Sequence, residues 1–329
     1  MNESLRLLSD IVYYSKYAKY NPTKQRRETF EETVARNKNM HLKKFAHIPA
    51  LHPIIDRAYE LMLDKKILPS MRSMQFGGDA IEKNNNRMYN CSAVAIDDIL
   101  AFSDLFHLLL SGCGVGFSVR RHFVEKLPKI IKPKTDEKIT FKPDDSIEGW
   151  ADCIKELMNA YFVRGVHIDF DYSGIRPKGA LIKSSMCAAP GSGPLSVAIE
   201  NVQKLLDKKM AADDLTLSTL DCYDICCFIS DAVLAGGIRR SAMIALFDKD
   251  DELMLHAKEG QWWVENPQRG LANNSVQFDR DTTTKEEFDR VFQITKDSGC
   301  GEPGTGLPRR GQPEGSPACQ RHVCKGYGL

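Results

Sequence analysis

The sequence of 329 residues lacks a long hydrophobic run and lacks an excess of charge of either sign. No apolar stretch approaches the ~20 residues that a membrane-spanning helix needs, which excludes that class of protein. The 45 basic and 44 acidic side chains leave a formal net charge of +1. Because so small a charge creates no strong overall field, we expect neither nucleic acid nor a membrane as a partner.

The amino terminus also lacks the basic leader, apolar segment and small-residue cleavage site of a secretory signal, so we expect a cytoplasmic protein. Ten cysteines are present, and without a secretory leader we expect them to be mainly thiols. The composition, 42% hydrophobic and 27% charged, is typical of a globular protein. At roughly 150 residues a domain, the length suggests two structural units.

Apolar periodicity and turn residues predict an ordered succession of helices and strands. Asp145 with Glu148, and Thr284 with Glu287, have the spacing of capping boxes at helix starts. Strands and helices alternate in the second half, which favours a mostly parallel α/β sheet or barrel. Helices are predicted over residues 29–37, 100–110, 194–209 and 218–235 and from residues 53, 145 and 284, and strands over 114–119, 166–170, 241–247 and 275–278.

Three local clusters have residue types suited to chemistry. Cys222, Cys226 and Cys227 lie together on one predicted helix, but no second Cys/His pair accompanies them, so we favour packing and predict no metal. The glycines of residues 112–116 let a backbone approach a phosphate or sugar, and equally suit a tight turn in a barrel. Residues 236–241 place two arginines in a glycine loop, which suits phosphate binding or a solvated basic turn.

The pattern becomes specific when eight short blocks are taken in order. They are Met-Tyr-Asn-Cys-Ser-Ala-Val-Ala at 88–95, Gly-Cys-Gly-Val-Gly-Phe-Ser-Val at 112–119, Glu-Gly-Trp at 148–150, Ser-Gly-Ile-Arg-Pro-Lys-Gly-Ala at 173–180, Asp-Ile-Cys at 224–226, Ala-Gly-Gly-Ile-Arg-Arg-Ser-Ala at 235–242, Ala-Asn-Asn-Ser-Val at 272–276 and Gly-Glu-Pro-Gly at 301–304. This series resembles the catalytic subunits of ribonucleotide reductases, and most of all the adenosylcobalamin-dependent, class II ribonucleoside-triphosphate reductases. Residues 17–37 and 68–70 are similar to the amino-terminal region of the same group.

The resemblance implies an α/β fold, the first half of the family's ten-stranded α/β barrel preceded by a helical amino-terminal region. We expect a helical region at 1–66, the half-barrel with its substrate and effector loops at 67–304, and an irregular tail rich in Gly, Pro and Arg at 305–329. The implied activity is reduction of ribonucleoside triphosphates to 2′-deoxyribonucleotides by thiyl-radical chemistry, for DNA synthesis. The implied partners are adenosylcobalamin, a thioredoxin-type reductant and a deoxynucleotide effector.

The resemblance also assigns roles to residues that match the family's motifs. Cys91 corresponds to one of the two thiols that deliver electrons to the sugar. Ser70 and Asn90 would contact the substrate phosphate or ribose, and Gly114 with Gly116 would let the sugar lie against backbone. Ser70 is equally suited to capping the turn after a proline.

A second set of residues corresponds to the family's effector site. Asp98 and Arg121 match positions that contact the effector ribose and phosphate, although Asp98 also suits the start of the helix at residue 100. The remaining effector residues belong to the loop that senses the effector and selects the base: Gly236, Gly237, Arg239, Arg240 and Ser241.

The chain departs from the family after Gly304. The family's radical loop, Asn-Pro-Cys-Gly-Glu, is absent, and the Cys-Gly-Glu at Cys300 fits the earlier Gly-Glu-Pro-Gly block better. Cys319 and Cys324 have the spacing of the family's shuttle dithiol, but an out-of-register tail explains them as well. We therefore expect roughly the first half of an enzyme, inactive by itself, with most of the cobalamin site outside the chain.

Three rival interpretations remain open. One is a fragment of a class I catalytic subunit, whose radical comes from a separate metal-bearing protein. Another is a fragment that binds the nucleotide effector without catalysis, and a third is a structural zinc protein. The sequence leaves open triphosphate or diphosphate as substrate, and monomer or homodimer as the oligomeric state.

Overall fold

The computed structural model describes residues 3–135, 137–182, 187–234 and 242–307. The chain divides into two compact units, Met1–Asn90 and Cys91–Leu329. The boundary expected at residue 66 therefore lies inside the first unit, and the three-part division of the chain stays a prediction.

Helices dominate both units, with short strands between them. The helices are α1 Glu3–Lys16, α2 Phe30–Lys44, α3 His52–Leu63, α4 Met71–Phe76, α5 Asp79–Lys83, α6 Leu100–Leu110, α7 Arg121–Val124, α8 Ile147–Asn159, α9 Gly193–Ala211, α10 Thr219–Leu234, α11 Glu252–Leu255, α12 Trp262–Glu265 and α13 Lys285–Asp297. The strands are β1 Tyr20–Asn21, β2 Arg26–Arg27, β3 Cys91–Ala95, β4 Gly114–Ser118, β5 Lys138–Phe141, β6 His167–Phe170, β7 Leu181–Ile182, β8 Cys187–Ala188, β9 Met243–Asp248, β10 Ala272–Gln277 and β11 Gly304–Gly306.

The first unit is helical, with one short antiparallel pair of strands, β1 and β2. Thr29 caps α2 and forms a reciprocal capping box with Glu32, so the helix predicted at 29–37 is confirmed and continues to Lys44. Val34 of α2 packs with residues of α3 and α4 in a small core. The unit is thus held by a core of its own.

A polar network joins the start of α2 to the end of α4. The guanidinium of Arg36 donates to Glu28 at 2.9 Å and to the carbonyl of Gly77 at 2.7 Å. The ammonium of Lys19 donates to the same carbonyl at 2.9 Å. Burial, and next the nearby charge of Arg36, lower the pKa of Lys19 from its ordinary 10.5 to about 8.

This lowered pKa predicts a rise of stability with pH. Between pH 8 and 10.5 the unfolded chain binds more protons at Lys19 than the folded chain does, so the free energy of unfolding increases with pH in that window. Lys19→Met removes this contribution. Between pH 7.5 and 10, the free energy of unfolding should rise by more in the wild type than in the variant. Because Lys19 is partly exposed, we expect this difference to be only about 1 kcal/mol.

Urea unfolding at several pH values measures the difference. Above pH 10 the half-buried Tyr13 and the buried Tyr59, whose pKa values are raised to about 12, act in the opposite direction in both proteins. Equal pH slopes for the wild type and Lys19→Met would show that Lys19 is not the source.

The second unit is built on a five-stranded parallel sheet in the order β3-β4-β9-β10-β11. One face is covered by α6, α8, α9 and α10, whose apolar side chains pack with Val115, Phe117, Ala245 and Phe247 in the main core. This arrangement confirms the predicted α/β class. Five parallel strands in the described residues are also the number expected of half a ten-stranded barrel.

The sequence patterns located most elements of this unit. The helix predicted at 100–110 matches α6, and the capping box of Thr284 and Glu287 opens α13 as expected. The start of α8 is a correction: Ser146, not Asp145, is its cap, and its hydroxyl accepts from the N–H of Gly149. Asp145 instead pairs with a distant arginine, described below.

Several elements were not predicted individually, and α1 and β3 are two of them. Helix α1 has no buried residue, and its leucines are exposed. Strand β3, Cys-Ser-Ala-Val-Ala, has a single β-branched residue and therefore little strand propensity of its own. Among the helices of the described residues, none combines the length and apolar character needed to cross a membrane.

Gly149 provides a test of the packing at the start of α8. A Cβ added there would lie 2.2 Å from the backbone oxygen of Asp144, so Gly149→Ala must move backbone. We expect a loss of about 2 kcal/mol in the free energy of unfolding. The control is Gly193→Ala at the start of α9, where a Cβ meets nothing within 4 Å and the change should stay within about 0.5 kcal/mol. Urea titration of both variants measures their free energies of unfolding. Equal values for Gly149→Ala and Gly193→Ala would contradict the close contact at Gly149.

Candidate functional site

The register of β3 and β4 places the predicted substrate residues of the second unit side by side. Cys91 pairs with Gly114 at the amino ends of the two strands, and Ala93 pairs with Gly116. Paired residues on parallel strands point to the same face of a sheet, and alternate residues share a face. Cys91, Gly114 and Gly116 therefore lie on one face of the sheet.

That face is the one opposite the helices. Val115 and Phe117 of β4 point into the main core, whereas Ile244 and Leu246 of β9 form a separate cluster. By register, Ile244 aligns with Gly116, so this cluster shares the face of Cys91. We call the face that carries Cys91, Gly114, Gly116, Ile244 and Leu246 the site face. On β3 and β4 the residues of the site face are small.

Cys91 differs from the other described cysteines of the second unit in its environment. It is half-buried at the start of β3, while Cys153, Cys222, Cys226 and Cys227 are fully buried. Burial raises the pKa of Cys153 to about 12 and raises the pKa values of the other three as well. Since the thiolate is the reactive form, these four thiols are inert packing residues.

The three neighbouring cysteines on α10 lie in the core of the second unit. Cys222, Cys226 and Cys227 pack inside the main core, as the packing interpretation expected. Across the part of the chain that the structure describes, no group of three or more His, Cys, Asp or Glu side chains could hold a metal ion.

In the first unit, the side chain of Asn90 is held by a buried arginine. Nε of Arg72 donates to Oδ1 of Asn90 at 2.7 Å, and Arg72 is only 2% exposed. The guanidinium also lies 5.7 Å from the ring centre of Phe76. Asn90 itself is exposed and immediately precedes Cys91 in the chain.

Ser70 has the local role that the sequence left open for it. It is the N-cap of α4, and its hydroxyl accepts from the N–H of Ser73 at 3.1 Å. The side chain is exposed. The contact of Ser70 with substrate stays a prediction.

The two described effector candidates lie at the other end of the strands from Cys91. Asp98 follows the carboxyl end of β3, and its side chain accepts from the N–H of Leu100 at 2.7 Å, although Ile99 and not Asp98 is the N-cap of α6. Arg121 follows the carboxyl end of β4 and pairs with Asp250 at 2.8 Å. The hydrogen bond from Arg121 lowers the pKa of Asp250, so this guanidinium is engaged within the chain. Within the second unit, Asp98 and Arg121 thus follow the carboxyl ends of β3 and β4, whereas Cys91 and Gly114 begin those strands.

Other predicted residues lie outside the described residues. These are Gly236, Gly237, Arg239, Arg240 and Ser241 of the effector loop, and Cys319 and Cys324 of the tail.

Ion pairs connect the sequence blocks, and these pairs could not be foreseen. Arg176 of the fourth block donates to Asp145, just before the Glu-Gly-Trp block, at 2.6 Å. Asp224 of the fifth block accepts two bonds from Arg269, at 2.8 and 2.7 Å, between side chains that are each 11% exposed. No local pattern marks Arg269, because its partner lies 45 residues away.

Lys258 plays a similar part for the last block. It is 7% exposed and donates to the carboxylate of Glu302 at 2.5 Å and to the carbonyl of Ala272 at 2.6 Å. Ala272 begins β10, and Glu302 precedes β11 in the Gly-Glu-Pro-Gly block. Lys258 therefore ties two blocks to the amino ends of neighbouring strands.

Comparison with known proteins gives a consistent result. No model of a protein family matches the chain. The adenosylcobalamin-dependent ribonucleoside-triphosphate reductase of Lactobacillus leichmannii is 28% identical over 333 aligned residues, covering 82% of this chain and 44% of that protein. The reductase of the same name from Lactobacillus gasseri is 26% identical over 364 residues, covering 89% and 47%. A crystal structure of a B12-dependent (class II) ribonucleotide reductase superimposes with a TM-score of 0.75 at 26% identity, covering 90% of this chain and 48% of that one.

The chain is similar to the class II ribonucleotide reductases. The resemblance inferred from the eight blocks is thereby confirmed, and so is the expected fold. The chain spans about half the length of the class II reductases that it matches.

Differences in burial predict which thiols react. Under native conditions at pH 8, we expect iodoacetamide to alkylate the exposed Cys300 and the half-buried Cys91, and to leave the four fully buried cysteines unmodified. Peptide mass spectrometry after a timed quench identifies the modified sites. Alkylation in urea is the control, since all ten cysteines should then react. Native modification of Cys222 or Cys226 ahead of Cys91 would contradict the described core.

Proposed function

We propose that this chain is the amino-terminal part of a class II ribonucleotide reductase that reduces ribonucleoside triphosphates. The observation that carries the proposal is the position of Cys91 on the site face. Cys91 pairs with Gly114, and Gly116 is the next residue of β4 on the same face. A thiol beside backbone without side chains is what a sugar needs in order to approach a reductant closely. The similarity to reductases of known name supports the same conclusion.

The role proposed for Cys91 is delivery of reducing equivalents. In the overall reaction two thiols are oxidised to a disulfide, the ribose C2′–O bond breaks, a hydrogen takes the place of the hydroxyl, and water leaves. Cys91 is one of the two thiols. A thioredoxin-type dithiol would then reduce the disulfide by exchange, which returns the enzyme to its starting state.

Adenosylcobalamin would supply the radical in the complete protein. A corrin with its nucleotide tail and adenosyl group is larger than a drug-sized ligand, whose sites have volumes of about 300–1,000 Å³. The cavity of about 460 Å³ in the first unit and that of about 290 Å³ in the second do not fit it. We therefore assign no described residue to the cofactor, and place its site mainly in the half of the reductases that this chain does not span.

The effector is proposed to bind at a separate place. Asp98 and Arg121 lie beyond the carboxyl ends of β3 and β4, whereas Cys91 and Gly114 begin those strands. A strand of five residues is roughly 15 Å long, so an effector at one end does not compete with a sugar at the other. The bond between Arg121 and Asp250 would have to yield to an effector phosphate.

Two alternative functions are weighed against this proposal. One is a fragment that binds the nucleotide effector without catalysis. A class I subunit is less favoured, because the reductases that the chain matches are named as dependent on adenosylcobalamin. The two enzyme classes are distinguished by a requirement for added cofactor or for an added partner protein.

The test begins with the coding sequence beyond the codon for Gly304, read in all three frames. We expect it to encode Asn-Pro-Cys-Gly-Glu and a long α/β continuation. The extended protein should convert CTP to dCTP when given adenosylcobalamin and dithiothreitol, measured by chromatography. Cys91→Ser should reduce repeated turnover to background because one reducing thiol is lost, while Cys300→Ser, at an exposed thiol away from the site face, should remain active.

Each result bears on a different part of the proposal. Activity that needs a second, metal-bearing protein instead of adenosylcobalamin would assign the chain to class I. Full turnover by Cys91→Ser would remove Cys91 from the reaction. Nucleotide binding with no continuation beyond Gly304 would leave the effector-binding fragment as the function.

A further inference from the structure

Building on the proposed function, we propose that Arg72 is a positioning residue for substrate binding. It fixes the side chain of Asn90 so that the amide NH2 of Asn90, and not its carbonyl oxygen, faces the ribonucleotide. Asn90 would then bind a hydrogen-bond acceptor on the ligand, which means a phosphate or ribose oxygen.

The orientation of the Asn90 amide follows from the fact that Arg72 is a hydrogen-bond donor. Nε of Arg72 carries a hydrogen and cannot accept, so the atom of Asn90 that lies 2.7 Å from it is the carbonyl oxygen Oδ1. Once Oδ1 is directed to Arg72, the planar amide directs Nδ2 the other way. An exposed asparagine otherwise rotates broadly about its last side-chain bond. Because the contact with Arg72 already limits this rotation, less conformational entropy is lost when a ligand binds.

Arg72 is well suited to this task because its own position is fixed. The side chain is 2% exposed and stacks over Phe76. Its neighbour Ser73 accepts from Asn37 at 2.8 Å and donates its backbone N–H to Ser70. Helix α4 is thus anchored on both sides of Arg72. Because the guanidinium is rigid and fixed in place, its hydrogen bond also fixes the side chain of Asn90.

A double-mutant cycle separates positioning from general stability. CTP and ATP are titrated by calorimetry against the full chain and against Arg72→Gln, Asn90→Ala and the double variant. We expect each single variant to weaken binding roughly tenfold, as for a lost hydrogen bond to a charged group. The double variant should be no weaker than either single one, because Arg72 acts only through Asn90.

The chain offers two matched controls. Arg87 also lies 5.7 Å from the Phe76 ring, so Arg87→Gln removes a guanidinium from the same ring and should leave nucleotide affinity within about twofold. Asn90→Asp retains the acceptor for Arg72 but replaces the NH2 donor by a carboxylate oxygen. It should weaken binding more than Asn90→Ala does, because it repels phosphate.

A second measurement remains informative whatever the affinity. The side-chain NH2 resonances of Asn90, in chain labelled at asparagine, should shift in Arg72→Gln and not in Arg87→Gln. Arg72→Lys retains the charge but has no donor at the Nε position, so it replaces Arg72→Gln if the latter does not fold. Circular dichroism identifies that case.

The outcomes distinguish this inference from the proposed function. Additive losses in the cycle, or unchanged Asn90 resonances in the Arg72 variant, would overturn the positioning role while leaving nucleotide binding intact. If the wild-type chain binds neither nucleotide but the Asn90 resonances respond to Arg72, the contact is supported and the substrate role of the chain falls.

Discussion

The pairing of Cys91 with Gly114 is the constraint on which the candidate site depends. Side chains along a strand alternate between two faces, so a shift of β3 by one residue would turn Cys91 toward the helices and place Ser92 on the site face. The helix-covered face holds that register, since Val115 and Phe117 must point into the main core. Burial of apolar residues on one side of the sheet therefore fixes where the thiol lies on the other.

The cysteines differ in burial, and buried ion pairs join distant segments of the chain. Full burial makes Cys153, Cys222, Cys226 and Cys227 part of the core, and their raised pKa values keep them as thiols. Cys91, in contrast, is only half-buried. Buried ion pairs act at longer range: Asp224 with Arg269, and Lys258 with Glu302, join segments that are about 45 residues apart. Breaking one partner of such a pair leaves a buried charge, so the blocks are held in place by more than backbone pairing.

Much of the fold could be predicted because its signals are local. Helix α6 was located to the residue, α13 was located from its capping box, and α2 was predicted as a shorter helix at 29–37. The failures share a physical cause. Strand β3 consists of small residues whose strand conformation depends on a neighbour, and the cap of α8 was assigned to Asp145 although Asp145 serves a distant arginine. Competition between nearby polar residues for one helix start is settled by tertiary contacts.

For the site, the sequence by itself determined which residues are candidates: the order of eight blocks singled out Cys91, Asn90, Gly114 and Gly116. Only the tertiary structure decided how they are arranged. It placed Cys91 and Gly114 on one face, put Asp98 and Arg121 at the opposite strand ends, and turned Asn90 toward Arg72. The reason is that the sequence gives the chemical type of each side chain directly. Strand register, strand direction and long-range ion pairs form only when distant segments pack together.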